Sequence, residues 1–301
     1  MPNLGFLVSI VLPTFNRRPF LGQAVESVVN QTFKEWELLV VDDGSDDDSW
    51  KTIQKFNDPR IYYLYQRNQG VSCARNTGIQ FSHFPWICFL DSDDQWETNK
   101  LQRQLEVLER HPQYQVVYTD ETWIRKGRRV NPRKIHRKYQ GWIYHRCLPL
   151  CIISPSSILL HRSILQQVGL FDVSFPVCED YEMWLRISSR HPILFLEEPL
   201  ITKVGGHADQ LSQSLWGLDR YRVQAMIKSY SSGDLTPQLA TWTARQIAEK
   251  ARILASGFTN RKKWAEAGEF QDMVQAWSKK ARIAAHSPPL KRPEESSPGA
   301  K

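Results

Sequence analysis

The chain has no apolar run long enough for a membrane span. Crossing a bilayer takes about 20 apolar residues, and the most apolar long segment, 147–160, is broken by Pro149 and Pro155. No basic stretch precedes the early apolar residues, so Phe6-Leu7-Val8-Ser9-Ile10-Val11-Leu12 is expected to be a first strand and not a secretory leader. Cysteine is scarce: there are five, an odd number without paired metal spacing. That argues against a disulfide scaffold and a zinc site, and fits free thiols in a reducing cytosol. Internal repeats are absent, and no glycine-rich phosphate loop follows the first apolar run.

What is present suits a globular α/β chain. Its 301 residues, 41% hydrophobic and 24% charged, allow one large domain with a helical appendage or two small ones. Apolar runs at 8–12, 37–41, 61–65, 86–90 and 115–118 predict strands, the fifth ending in Asp120. Between them lie helical patterns. Pro19 opens one, with Leu21, Ala24, Val25, Val28 and Val29 on a shared face. Ser45 is expected to cap a second, with Asp46, Asp47 and Asp48 in its first turn. A third covers 71–81, and a fourth carries Leu101, Leu105 and Leu108 up to His111-Pro112. This alternation predicts βαβ units and a mostly parallel sheet flanked by helices. Beyond it the pattern loosens: a strand at 157–161, a short helix at 163–168 stopped by Gly169, a helix after Glu179-Asp180, and a short strand at 193–196. Two or three amphipathic helices fill 221–284, and the proline-rich stretch from about Ser287 reads as a disordered tail. The expected divisions are 1–215, a helical region 216–285, and a tail 286–301.

The net charge of +7 is unevenly spread. Arg125, Lys126, Arg128, Arg129, Arg133, Lys134, Arg137 and Lys138 crowd one stretch. It reads either as a solvated mobile loop or as a surface for phospholipid, a phosphorylated carrier or nucleic acid.

Two acidic clusters carry the functional signal. Leu38-Leu39-Val40-Val41 runs into Asp42-Asp43-Gly44-Ser45, and Ile87-Cys88-Phe89-Leu90 runs into Asp91-Ser92-Asp93-Asp94. In an open parallel sheet the carboxyl ends of strands face the ligand crevice. Carboxylates delivered there suit a divalent cation and the sugar or nucleotide diphosphate it holds. Strand alternation would point Asp91 and Asp93 to the same side; the alternative is a solvated acidic turn capping the next helix.

Val8-Ser9-Ile10-Val11-Leu12-Pro13-Thr14-Phe15-Asn16-Arg17 resembles the opening of the family 2 inverting glycosyltransferases of GT-A fold. So do Val41-Asp42-Asp43-Gly44-Ser45, the segment Asn68-Gln69-Gly70-Val71-Ser72-Cys73-Ala74-Arg75-Asn76-Thr77-Gly78, and Phe89-Leu90-Asp91-Ser92-Asp93-Asp94. Glu179-Asp180-Tyr181-Glu182-Met183-Trp184-Leu185-Arg186 completes the set, which spans about residues 6 to 205. The resemblance implies a GT-A (Rossmann-like) fold with a C-terminal helical appendage, and metal-dependent transfer from a nucleotide-diphosphate sugar, a UDP-sugar above all. Pro13, Thr14, Phe15 and Asn16 would then meet the nucleotide, with Phe15 packing on the base unless it is ordinary core. Of Asp42 and Asp43, Asp43 is the choice to accept from a uracil-type imide. Arg75 and Asn76 would reach a phosphate or ribose, a structural salt bridge being the alternative for Arg75. Asp93 would hold Mn²⁺ or Mg²⁺, with Asp91 and Ser92 nearer the sugar or ribose, and His207 would be a further metal ligand or phosphate contact.

Asp180 is implied as the general base that takes the acceptor's hydroxyl proton; the plain alternative is that Glu179 or Asp180 only caps its helix. Ser154-Pro155-Ser156-Ser157 would line the acceptor pocket. The expected acceptor is a glycan or lipid carrier of envelope polysaccharide synthesis, met in the cytoplasm or at the inner face of the plasma membrane. The basic run, with Arg261, Lys262, Lys263, Lys279, Lys280 and Arg282, motivates a peripheral contact with anionic membrane. No nucleic-acid partner is expected. The rivals are a nucleotidyltransferase, which the missing glycine-rich loop disfavours, and a non-catalytic anionic-surface or nucleic-acid binding module, which the intact Asp91, Asp93 and Asp180 disfavour.

Overall fold

The first apolar run becomes β1 (Val8–Thr14), buried along its whole length, as a central parallel strand must be. The computed structural model describes residues 6–131, 133–206 and 216–285. β2 (Trp36–Asp42) lies on one side of β1 and β4 (Trp86–Phe89) on the other, both parallel to it; β3 (Ile61–Tyr65) extends the sheet beyond β2 as an edge. α1 (Arg18–Val29) buries Leu21, Ala24, Val25 and Val28 in the shared core, with Pro19 in its first turn, where a missing N–H costs nothing. α2 (Ser49–Ile53), α3 (Val71–Phe81) and α4 (Lys100–Arg110) complete this half. Gly78 of α3 is pressed on β1 so closely that a Cβ there would come within 2.3 Å of Val11 Cγ1.

Past β4 the sheet turns mixed. β8 (Ile158–His161) runs antiparallel between β4 and β6 (Val116–Arg125), β9 (Leu194–Gly205) runs parallel to β6, and β5 (Asp94–Trp96) runs antiparallel to β9. The order is β3-β2-β1-β4-β8-β6-β9-β5, with β7 (Arg128–Val130) paired to β6. Gln95 of β5 donates to Gln23 of α1 at 3.0 Å, so the far end of the sheet curls back over the first helix. α5 (Tyr144–Cys147), α6 (Arg162–Val168) and α7 (Glu179–Arg190) accompany this half.

Several local expectations change. Ser45 does not cap α2: the helix starts at Ser49, and Asp47 Oδ1 accepts from Ser49 N at 3.0 Å. β5, at Asp94–Trp96, is a strand where no separate element is expected. β6 runs on past Tyr118, and β9 extends from Leu194 to Gly205, well beyond 196. The basic stretch is largely ordered: Arg125 pairs with Arg128 across a two-residue turn, Lys126 and Gly127, both at positive φ.

The chain divides into two compact units, Met1–Tyr221 and Arg222–Lys301. α8 (Leu218–Ser231) crosses that boundary, and α9 (Pro237–Asn260) and α10 (Trp264–Ala285) follow. Thr236 caps α9, its hydroxyl accepting from Leu239 N at 3.3 Å. Phe258 stacks on Phe270 at 5.5 Å, and Tyr230 meets Trp277 edge-on at 4.9 Å. Among the described residues no helix is long and apolar enough to cross a membrane.

Candidate active site

The parallel register brings Thr14 level with Asp42, so the ends of β1 and β2 share one rim of the sheet. Phe15 leaves that rim 46% exposed, which removes the core reading of its ring. Asn16, at φ +52°, accepts from Asp46 N at 2.9 Å, and its own N–H donates to Ser45 Oγ at 2.8 Å. Asp42 accepts from Ser45 N at 2.8 Å and from the Tyr63 hydroxyl. Asp43 accepts from Gln66 Nε2 at 2.6 Å, Gln69 N at 2.9 Å and Gly70 N at 2.8 Å. It thereby closes the 66–70 segment against the rim before any ligand is considered. Gly44 sits at φ +88° with Asn68 N only 2.9 Å from where its Cβ would be, so this turn needs glycine twice over.

Arg75 joins the two halves. Buried in α3, it donates through Nη2 to Asp91 Oδ1 and through Nη1 to Glu179 Oε1, each at 2.7 Å. Its guanidinium lies 5.2 Å over the Phe171 ring, and its Nε makes no hydrogen bond among the described residues. The structural ion pair weighed as an alternative therefore exists, and its two carboxylates come from the acidic strand end and from the start of α7. Asn76 points elsewhere. Its amide clamps the main chain of Phe171, accepting from the N–H at 2.9 Å and donating to the carbonyl at 2.8 Å, so the side chain is spent on the fold.

Asp91–Asp94 is a turn rather than a strand end, closed by Asp94 N donating to Asp91 O at 3.0 Å. Strand alternation thus does not aim Asp91 and Asp93; the turn does. Ser156 pins it, accepting from Asp91 N at 3.1 Å and donating to Asp94 Oδ2 at 2.6 Å. That is a structural task for a residue expected to line an acceptor pocket. Ser92 and Asp94 are buried, while Asp93 is half-buried. Burial lifts the Asp94 carboxyl well above the usual range; Lys203 opposes this, and Asp93 and Asp91 add to it.

α7 begins just after Cys178, which caps it in a left-handed conformation (φ +61°) without its thiol bonding the first turn. Glu179 and Asp180 therefore stand in the first turn, where the helix dipole favours negative charge, and neither is the cap. Glu179 is buried, and burial raises its carboxyl to about 7 against the pull of Arg75, with Asp180 pushing the same way as burial. Asp180 is half-buried; its Oδ1 accepts from Tyr181 N at 2.6 Å and its Oδ2 faces the Cys151 thiol at 3.3 Å.

Two residues on the mixed half, Lys203 and Glu121, escaped sequence reasoning. Lys203 of β9 lies opposite Asp94 in the register, in the fields of Glu121, Asp94, Asp91 and Asp180, which hold its ammonium charged despite burial. Glu121 of β6 accepts from Ser154 Oγ at 2.8 Å and Trp123 Nε1 at 2.9 Å, and Lys138 Nζ lies 3.4 Å from its Oε2. Burial opposes its charge, yet Lys138, Lys203 and these donors bring its carboxyl down to about 2. The available signal was a charge interrupting an apolar strand pattern, Lys203 between Ile201 and Val204. Such a charge needs an internal partner.

Among the described residues no three His, Cys, Asp or Glu side chains gather into a metal cage. The crowding of Asp91, Asp93 and Asp94 nevertheless fits a hard cation that takes one or two carboxylates and completes its shell with phosphate oxygens and water. His207 lies outside the described residues.

The family model for "Glycosyl transferase family 2" matches residues 9–169. The chain belongs to that family. This family 2 glycosyltransferase is 33% identical over 190 residues to the Escherichia coli enzyme WfaP, a UDP-Glc:α-D-GlcNAc-diphosphoundecaprenol β-1,3-glucosyltransferase, covering 61% of this chain and 71% of that one. It is also 37% identical over 111 residues to Bacillus subtilis TuaG, a putative teichuronic acid biosynthesis glycosyltransferase, covering 36% and 44%. Its fold matches S. aureus TarS 1–349 in complex with UDP-GlcNAc at TM-score 0.71 and 17% identity, over 93% of this chain and 88% of that one. It also matches the Pyrobaculum calidifontis mannosyltransferase PcManGT, in complex with GDP-Man and Mn²⁺, at 0.55 and 14%, over 95% and 89%. The GT-A architecture expected from the motifs is thus the one found, and membership of this family sets aside the nucleotidyltransferase reading.

Proposed function

We propose that this glycosyltransferase moves a sugar, with inversion, from a UDP-sugar to a hydroxyl of a diphosphate-lipid-linked sugar in envelope polysaccharide synthesis. Residues 1–215 bind the donor and catalyse, with 216–285 a helical addition. The observation that carries the reading is the Arg75 bridge, which ties the donor-side Asp91 to the first turn of α7, where Asp180 stands. The relatives' printed substrates support the UDP-sugar and the lipid-linked acceptor.

The exposed Phe15 ring covers the base, and Pro13, Thr14 and the main chain around Asp42–Asp43 frame it. Asp91 and Ser92 contact the ribose or sugar. A divalent cation, Mn²⁺ or Mg²⁺, held at Asp93 with phosphate oxygens, would supply the positive charge that stabilises a departing diphosphate. Asp180 takes the proton of the acceptor hydroxyl as that oxygen attacks the anomeric carbon from the side opposite the leaving group. The Tyr181 amide fixes its rotamer. Arg75 keeps Glu179 and Asp91 from repelling each other and the base. The acceptor's lipid places the enzyme peripherally at a membrane face.

Calorimetric titration of UDP, GDP and their sugar conjugates, with and without Mn²⁺, tests this on wild type and Asp93→Ala. Metal-dependent binding of a uridine nucleotide, lost in the variant, is expected. Equal binding by both proteins, or none by either, would remove the donor site.

A further inference from the structure

We infer that the β6–β7 hairpin and the turn after it form a docking surface for anionic phospholipid, set beside the acceptor side of the crevice. This rests on the reading of a lipid-borne acceptor. From Thr122 to Trp142 the sequence contains no Asp or Glu. Arg125, Lys126, Arg128 and Arg129 on the hairpin are exposed, as are Arg133, Lys134 and Arg137 after it. Only Lys138 of the basic run turns inward, where it meets Glu121. The hairpin closes on a well-formed turn, both turn residues adopting the positive φ that a two-residue hairpin turn requires.

The register makes a stronger point. Arg125 stands directly opposite Arg128, with Arg129 next along the strand opposite Ile124. Like charges facing across an antiparallel pair weaken a hairpin. Arg125 also lies 5.5 Å over the Trp123 ring, but the Arg125–Arg128 pairing itself opposes the hairpin, and an anionic surface that neutralises the pair would relieve it. Lys and Arg near an anionic leaflet each add favourable energy, and the attraction fades with salt. Exposed apolar groups stand in the same stretch: Ile135, in the 3₁₀ turn Lys134–His136, and Trp142, 61% and 51% exposed. Charge combined with shallow apolar insertion is the usual signature of interfacial binding. A nucleic-acid backbone would use the cations but has no use for Ile135.

The hairpin also stands in the right place. β6 passes the crevice at Glu121, in the field of Lys203, and ends at Arg125 four residues later, about 13 Å along the strand. An acceptor whose sugar reaches Asp180 could keep its lipid in a bilayer touching this tip.

The test is co-sedimentation with phosphatidylcholine vesicles, alone or mixed with phosphatidylglycerol, at low and physiological salt. It uses wild type, the double variant Arg128→Glu/Arg129→Glu and the double variant Ile135→Ser/Trp142→Ser, each checked for an unchanged melting transition. Wild type is expected to bind the anionic vesicles only, and more weakly as salt rises. The charge reversal should reduce partitioning by at least about tenfold. The apolar variant should lose most of the binding that survives physiological salt. UDP-sugar binding should be equal in all three. Wild type that ignores anionic vesicles, or a charge-reversed protein that binds them as wild type does, overturns the proposal. So does release of the vesicle-bound protein by polyuridylate at trace concentration, which would identify the partner as nucleic acid. If the protein binds vesicles but no UDP-sugar, the sugar-transfer reading fails while the docking surface stands.

Discussion

The two halves of the sheet hold their buried carboxylates by different means. On the parallel half, Asp43 is met by the main-chain amides of Gln69 and Gly70 and by the Gln66 side chain. On the mixed half, Glu121 pairs with the Lys138 ammonium at 3.4 Å and lies in the field of Lys203. Amide donors come with the backbone and survive most side-chain changes. Ammonium partners must be desolvated and placed, and losing one leaves a bare charge behind. The first arrangement shapes a loop at little cost; the second concentrates charge beside Asp91 and Asp94.

Arg75 belongs to neither arrangement but joins the two halves through Asp91 and Glu179. Replacing Asp180, the proposed base, tests the crevice without disturbing either half. Asp180→Asn should lower the transfer rate by about 10²–10⁴-fold while leaving the UDP-sugar dissociation constant unchanged; kcat and calorimetry together read this. A variant that retains its rate would remove Asp180 from the chemistry.

Arg75→Met breaks the link itself. It strands the Asp91 and Glu179 carboxylates, and the expected loss of stability in urea unfolding is about 3–5 kcal/mol. Wild-type stability here would mean that the two halves do not depend on the bridge.

Glu121 sharpens the contrast through pH. Its carboxyl titrates near 2 when folded and near 4.5 when unfolded. The stabilisation is therefore fully present above about pH 4.5 and is lost as pH falls toward about 2. It amounts to on the order of 3 kcal/mol. Glu121→Gln should flatten this part of the acid limb of stability against pH, and an unchanged limb would contradict the ammonium-held state. Gly78→Ala probes the parallel half, where no charge is involved. Its Cβ would collide with Val11, so a loss of about 1–3 kcal/mol from overpacking is expected. The smallest effect belongs to Cys151→Ala. Its thiol lies 3.3 Å from Asp180 Oδ2 and also 3.2 Å from the Ile153 carbonyl, and a thiol is a weak donor. A rate change under about threefold is expected, and a larger loss would give the thiol a share in holding the base.

Legibility followed the same division. The strand at 61–65 and the helix at 71–81 have the bounds that the periodicity predicts, and β1, β2, β4, α1 and α4 differ by only a residue or two at their ends. Strands buried on both faces and helices with one apolar face leave strong local patterns. β5 left none, because Asp94-Gln95-Trp96 is a strand only through its pairing with β9. The extension of β6 past Asp120 through Glu121 was hidden for a related reason. A buried charge reads as a loop until its partner is known, and Lys203 lies some eighty residues further along. Asn76 shows the reverse error, since a motif position that promised ligand contact is used to hold Phe171.

The sequence by itself determined the parallel half, the order of the motifs, the acidic segments after β2 and β4, and the family to which these belong. Only the tertiary structure decided which charge answers which. Arg75 and Glu179 are separated by 104 residues, and Ser9 and Glu37, whose side chains bond at 2.6 Å, by 28. Local periodicity records whether a residue is buried, because burial repeats with the turn of a helix or the pleat of a strand. It carries no record of the distant partner that makes a buried charge tolerable, since that partner is set by how the strands pair.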